Sequence, residues 1–158
     1  MESEFTFEVL KKKDVKKCLD TLLSAEVGQL TNLKNRDFLK RMIYGDKVLT
    51  IVAKVKDRIV GTITASWMMT WPPDISLLTL IDRESAVKGV GLLLIDKLIE
   101  AIKERFPQVP FITAKLIKDS TEAVSLYSAK GFTVEGFLKE GLMGKDVIFM
   151  KKDLTGRM

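Results

Sequence analysis

A chain of 158 residues, 46% hydrophobic and 30% charged, is expected to form one globular domain over residues 1–158 with a core of its own. It holds no histidine and a single cysteine, Cys18, which excludes a Ser-His-Asp triad, most zinc sites and an internal disulfide. A net charge of +5 is compatible with a polyanionic cofactor, an acidic partner or nucleic acid. No apolar run reaches the roughly 18 residues of a membrane span, so no membrane partner is expected.

The opening residues Met1-Glu2-Ser3-Glu4-Phe5 are acidic and lack a signal-peptide apolar region, so a cytoplasmic location is expected, which one cysteine also suits. Phe5, Phe7 and Val9 alternate with Thr6 and Glu8 as a strand does. Asp14 is a candidate cap for a helix with Val15, Cys18, Leu19, Leu22 and Leu23 on its apolar side. Cys18 in that stripe reads as a buried structural thiol. Lys11, Lys12, Lys13, Lys16 and Lys17 lie on the polar side, where a solvated face accounts for them; nucleic acid is not expected as a partner. Gly28 falls in a looser stretch, Ser24 to Asn32. Leu33 to Tyr44 carries a second helical pattern, stopped by Gly45.

Val48 to Val55 and Ile59 to Met68 are β-rich, and the polar turn Lys56-Asp57-Arg58 predicts a hairpin. Trp71-Pro72-Pro73-Asp74 cannot continue a strand, because proline removes ladder donors. Ile75 to Ile81 is a near-continuous apolar run, the pattern of a strand buried on both faces. Ser85-Ala86-Val87-Lys88-Gly89-Val90-Gly91-Leu92 follows as a glycine-bearing turn. The longest helical pattern, Gly91 to Arg105, comes next and Pro107 ends it. Phe111 to Leu116 is a strand. Ser120 or Asp119 caps a helix from Thr121 to Ala129 that Gly131 stops. Phe132 to Phe137 and Val147 to Lys151 close the chain as strands, with Gly141 and Gly144 marking a turn between them. The order β α α β β β α β α β β predicts an α/β (α+β) fold, a mixed central sheet of about seven strands flanked by about four helices.

Strand, glycine turn and helix form a phosphate-binding arrangement. The first turn of a helix has N–H groups without intrahelical partners and a positive dipole end, and Gly89 and Gly91 would let an anion approach the backbone. A plain strand-to-helix junction has the same look.

Two motifs decide for a family. Ala86-Val87-Lys88-Gly89-Val90-Gly91 matches the spacing and both glycines of a Q/R-x-x-G-x-G/A signature, with Ala86 in place of the leading side chain and Val87 where many members have glycine. Ser120-Thr121-Glu122-Ala123-Val124-Ser125-Leu126-Tyr127-Ser128-Ala129-Lys130-Gly131-Phe132 matches Asn-x-x-Ala-x-x-Leu-Tyr-x-x-x-Gly-Phe, with Ser120 for the Asn. From Phe5 to Asp153 the chain resembles the GCN5-related N-acetyltransferases, the GNAT superfamily.

The resemblance implies acetyl-CoA-dependent transfer to a primary amine (a protein N-terminus, a lysine or a small amine) without a metal. It implies a pantetheine arm alongside Thr79, Leu80 and Ile81, and a pyrophosphate on the backbone of Val87, Lys88, Gly89, Val90, Gly91 and Leu92. Lys88 would add charge, and Ser120 belongs to the cofactor motif. A backbone N–H near Ile81 would polarise the thioester carbonyl. Tyr127 takes the general-acid position, and Asp74 stands within one residue of the general-base position. Asp82, Glu84, Glu135 and a water relay are the other routes for the amine proton. The acceptor, a small molecule or peptide, would bind between Ala25–Asn32 and Leu138–Lys145, with Trp67, Met68 and Trp71 as bordering residues. Members are often dimers, so a homodimer stays open. Ala86, Val87 and Ser120 motivate the alternative, a catalytically weak or inactive CoA-binding regulatory module.

Overall fold

The computed structural model describes residues 4–23, 25, 27–28, 35–68, 74–142 and 144–155. Alternating side chains build its sheet. The strands are β1 (Phe5–Val9), β2 (Val27–Gly28), β3 (Val48–Val55), β4 (Arg58–Met68), β5 (Asp74–Ile81), β6 (Phe111–Ile117), β7 (Thr133–Leu142) and β8 (Lys145–Asp153). They lie in the order β1-β3-β4-β5-β6-β8-β7, with β2 added beside β5. Every pairing is antiparallel except β5 with β6. In β5 the odd residues Ile75, Leu77 and Ile81 join one core cluster, while Leu80 joins another. A strand with two apolar faces is what the continuous run of Ile75 to Ile81 predicts.

Helices cover both faces. α1 (Val15–Leu22) and α2 (Arg36–Ile43) bury Cys18, Leu19, Leu22, Leu39 and Ile43 against Val52, Ile59 and Leu80. α4 (Val90–Arg105) and α5 (Thr121–Ala129) bury Leu94, Ile95, Leu98, Ala123 and Tyr127 in the other cluster, with Ile63, Ile81 and Ile112. Both clusters are apolar layers between sheet and helix, the stable solution for elements with one hydrophobic side. No helix among the described residues is long and apolar enough to cross a membrane.

Several boundaries depart from expectation. α2 starts at Arg36 because Asn35 Oδ1 accepts the Phe38 N–H at 2.9 Å, a side-chain cap. Asp14 stands at the N-cap of α1 but makes no side-chain cap bond; its carboxylate lies 3.6 Å from Lys54 Nζ instead. The stretch before Gly89 is not a bare turn but a short helix, α3 (Arg83–Val87). Asp82, expected as another route for the amine proton, caps it by accepting the Ser85 N–H at 2.8 Å. β7 runs on to Leu142, five residues past the expected end, by absorbing register shifts between Val134 and Gly136 and between Leu138 and Leu142.

Candidate active site

The site begins where two parallel strands part. β5 and β6 pair only at Ser76 with Thr113 and Leu77 with Ala114. β5 continues through Leu78, Thr79, Leu80 and Ile81, still paired on its other side with β4. Its β6-facing edge is therefore released over its last half. α3 and the first turn of α4 stand at the end of that edge. Gly89 is the N-cap of α4 in the left-handed conformation, φ 85°, and α4 opens with no side-chain cap and no acidic residue in its first turn. Such a helix end offers N–H donors and a positive dipole.

A cleft of about 490 Å³ opens here. Val27, Ile81, Ala86, Val87, Gly89, Gly91 and Leu92 form one side, and Thr121, Glu122, Ser125, Leu126 and Ala129 of α5 form the other. None of this α5 wall stands out as a site in the sequence; the two candidates nearby, Ser120 and Tyr127, are not among the lining residues. Its cleft-facing residues follow helical spacing (121, 122, 125, 126, 129), a signal available in the chain once α5 is known to border the turn.

The two glycines serve different ends. At Gly89 a Cβ would meet nothing within 4 Å, so glycine answers only to the positive φ. At Gly91 a Cβ would lie 2.8 Å from Leu126 Cδ1 and 3.0 Å from Ile81 Cδ1. Gly91 is buried, and its missing side chain lets α4 pack tightly on β5 and α5. The expectation that both glycines open the backbone to an anion therefore applies to Gly89, whereas at Gly91 the space freed is taken up by packing.

Thr79, Leu80 and Ile81 are fully buried on the released strand. Val87 projects from the rim with 80% of its surface exposed, so its β-branch does not fill the cleft. Lys88 turns elsewhere: its Nζ is 2.9 Å from Glu4 Oε1 and 3.8 Å from Glu84 Oε1. The Glu4 carboxylate beside it raises the Lys88 pKa above its ordinary value. Val90 is buried at the start of α4. Ser120 holds the N-cap position of α5 without a side-chain cap bond. Tyr127 is fully buried beneath the α5 wall, its ring edge-on to Phe132 at 5.0 Å between centroids.

Asp74 does not join this group. It is exposed at the first residue of β5, opposite Met68, and about 23 Å of strand separates it from Ile81. Trp67 also lies at that far end. It packs edge-on to Phe106, 5.2 Å between centroids, under the Arg105 guanidinium at 5.0 Å. Phe106 follows a helix about 24 Å long, so Trp67 lies at the opposite end of α4 from this cleft. Trp71 and most of Ala25–Asn32 lie outside the described residues. Glu135 is exposed on β7, within 3.4 Å of Thr133 Oγ1. Cys18 is buried and its thiol is pushed up to about 12, first by burial and then by the Asp14 charge, so it is no nucleophile at neutral pH.

A second depression of about 440 Å³ lies between α1 and α2, lined in part by Lys12, Lys16, Arg36 and Lys40. Arg36 is already held there by Asp20 Oδ1 at 2.6 Å.

A family model described as Acetyltransferase (GNAT) domain matches residues 7–146. The chain belongs to the GNAT family of N-acetyltransferases. No curated protein matches it significantly in sequence. Among solved structures it is similar to a GNAT-family acetyltransferase from Streptococcus pneumoniae, with a TM-score of 0.77 at 20% identity, covering 94% of this chain and 98% of that one. The ribosomal-protein-S18-alanine N-acetyltransferase from Escherichia coli gives 0.79 at 15% identity, over 98% and 96%. The spermidine N-acetyltransferase from Vibrio cholerae, in complex with CoA and spermine, gives 0.74 at 18% identity, over 96% and 96%. At these identities the likeness is one of fold.

Proposed function

We propose that this protein transfers the acetyl group of acetyl-CoA directly to a primary amine, with the cleft between the α3–α4 turn and α5 as its cofactor site. The observation that carries the reading is the released edge of Leu78 to Ile81 running into the uncapped start of α4. One end of the cleft suits an extended amide chain and the other suits phosphate. Glu122 lies on the cleft wall, where a carboxylate opposes that charge; Arg83 neutralises it at 2.9 Å.

Acetyl-CoA supplies an activated acyl group as a thioester. A backbone N–H on the released edge of β5 orients the carbonyl and donates to its oxygen as charge develops there. The amine nitrogen forms the new bond to the carbonyl carbon while the C–S bond breaks. Tyr127 donates its phenol proton to the departing sulfur and is re-protonated from solvent. The proton lost by the amine passes to water. The acceptor is a small molecule or a peptide. Two proteins of similar fold are named for a protein alanine and for spermidine, which supports the amine class without choosing within it.

A second reading, a CoA-binding module without turnover, draws on Ala86 and on the Glu122 carboxylate in the cleft. Acetyl-CoA titration followed by a panel of amines and peptides, read as free thiol, separates the two. Thiol release that depends on an amine supports transfer; tight binding with no release against the whole panel selects the module. Absence of binding removes both.

A further inference from the structure

The released edge of β5 is already occupied. Val27 and Gly28 lie on it as the antiparallel strand β2, with Val27 opposite Ile81 and Gly28 opposite Leu80. These are the backbone positions along which an amide-bearing arm would run under the proposed function. The approach is close. Gly28 has φ 143°, and a Cβ there would stand 2.0 Å from the Thr79 carbonyl oxygen, 2.9 Å from its carbonyl carbon and 3.2 Å from Leu80 Cα. Only glycine permits that contact. A strand edge presents one row of donors and acceptors, so it pairs with one extended chain at a time.

We propose that β2 is a self-strand holding the cofactor's place on β5, and that acetyl-CoA binds by exchange with Val27–Gly28; this rests on the reading of the cleft as the acyl-CoA site. A two-residue strand forms few ladder bonds, which makes it easy to displace. Its side-chain anchor is Val27, 5% exposed and packed in the same core cluster as Ile81. The exchange lowers the apparent cofactor affinity by the fraction of molecules in which the edge is free. A short hydrogen-bonded strand thus sets the cofactor concentration at which the site fills.

A cross-link tests this. Cross-strand partners have Cα atoms about 4.5–5.5 Å apart, within disulfide range. Val27→Cys with Ile81→Cys, in a Cys18→Ala background, locks β2 in place when oxidised. Calorimetry with acetyl-CoA is expected to show binding at least about tenfold weaker in the oxidised protein than in the same protein reduced. Equal affinity in the two forms overturns the exchange while leaving the cofactor reading intact. A wild-type protein that binds no acetyl-CoA sinks the cofactor reading, and the exchange with it. Gly28→Ala gives a second measurement that needs no cross-link. Its Cβ cannot coexist with the paired state, so binding should tighten several-fold. Weaker binding would mean that Gly28 helps to hold the cofactor, which also overturns the proposal.

Discussion

Arg83 Nη1 donates to both carboxylate oxygens of Glu122, at 2.9 and 3.0 Å, and ties α3 to α5 across the mouth of the cleft. The two residues are 39 apart in sequence and about half exposed. An anionic ligand in the cleft would compete with Glu122 for this guanidinium. Glu122→Gln should therefore tighten acetyl-CoA binding by up to about fivefold at low salt, the worth of an exposed ion pair, and by less at high salt. Arg83→Ala should weaken it. Calorimetric titration of both variants at two ionic strengths checks the signs; weaker binding by Glu122→Gln would make the carboxylate a ligand instead of a competitor.

The same substitution should have unlike effects at the two glycines of the turn. Gly89→Asn keeps a residue tolerant of positive φ in open space and should cost less than about 1 kcal/mol. Gly91→Asn drives a polar side chain into Leu126 and Ile81 and should cost about 3 kcal/mol. Urea denaturation of the two variants measures both. Equal losses would contradict the division of roles between them.

Tyr127→Phe retains the ring against Phe132 and removes only the hydroxyl. If that hydroxyl protonates the leaving sulfur, kcat falls on the order of a hundredfold, with folding stability down by about 1 kcal/mol and acetyl-CoA affinity little changed. A kcat near that of the wild type would take Tyr127 out of the mechanism.

Glu8 and Lys54 join β1 to β3 through a 2.6 Å ion pair. The hydrogen bond from Lys54 lowers the Glu8 pKa below 4.5, and the same bond raises the Lys54 pKa above 10.5. A lowered carboxyl pKa gives stability that is complete above about 4.5 and is lost as pH falls through the folded value; a raised ammonium pKa gives stability lost as pH climbs through its own folded value. The pair thus stabilises the fold between those limits and fails on either side. Because Glu8 is more than a third exposed, solvent screening holds its worth to about half a kcal/mol. Glu8→Gln should lose that amount at pH 7, and less as pH falls through the folded Glu8 value below 4.5, in urea titrations across pH.

Much of the architecture was legible in the residues because periodicity is local. The Phe5–Val9 alternation, the Thr121–Ala129 helix and the Val48–Val55 strand stand where their patterns put them. α3 was missed because five residues cannot show a helical period; its signal is a single cap, Asp82. β2 was missed for the same reason, as two residues alternate too little to register. The site was legible as a motif more than as a place. Gly89, Val87 and Leu92 do line a cleft, but Lys88, in the middle of that motif, faces Glu4. The register of β5 against β4 puts Asp74 opposite Met68, away from the turn that follows Ile81.

By itself the sequence determined the longer strands and helices, which faces are apolar, and which family the chain belongs to, since each depends on patterns of residues close together in the chain. Only the tertiary structure decided that β5 leaves β6 after Leu77, that Gly28 fills the edge so freed, and that Arg83 meets Glu122 across the cleft. Those outcomes join segments 37 to 54 residues apart, as with Leu77–Ala114 and Val27–Ile81. They are set by the competition of whole strands and helices for partners, which no local pattern encodes.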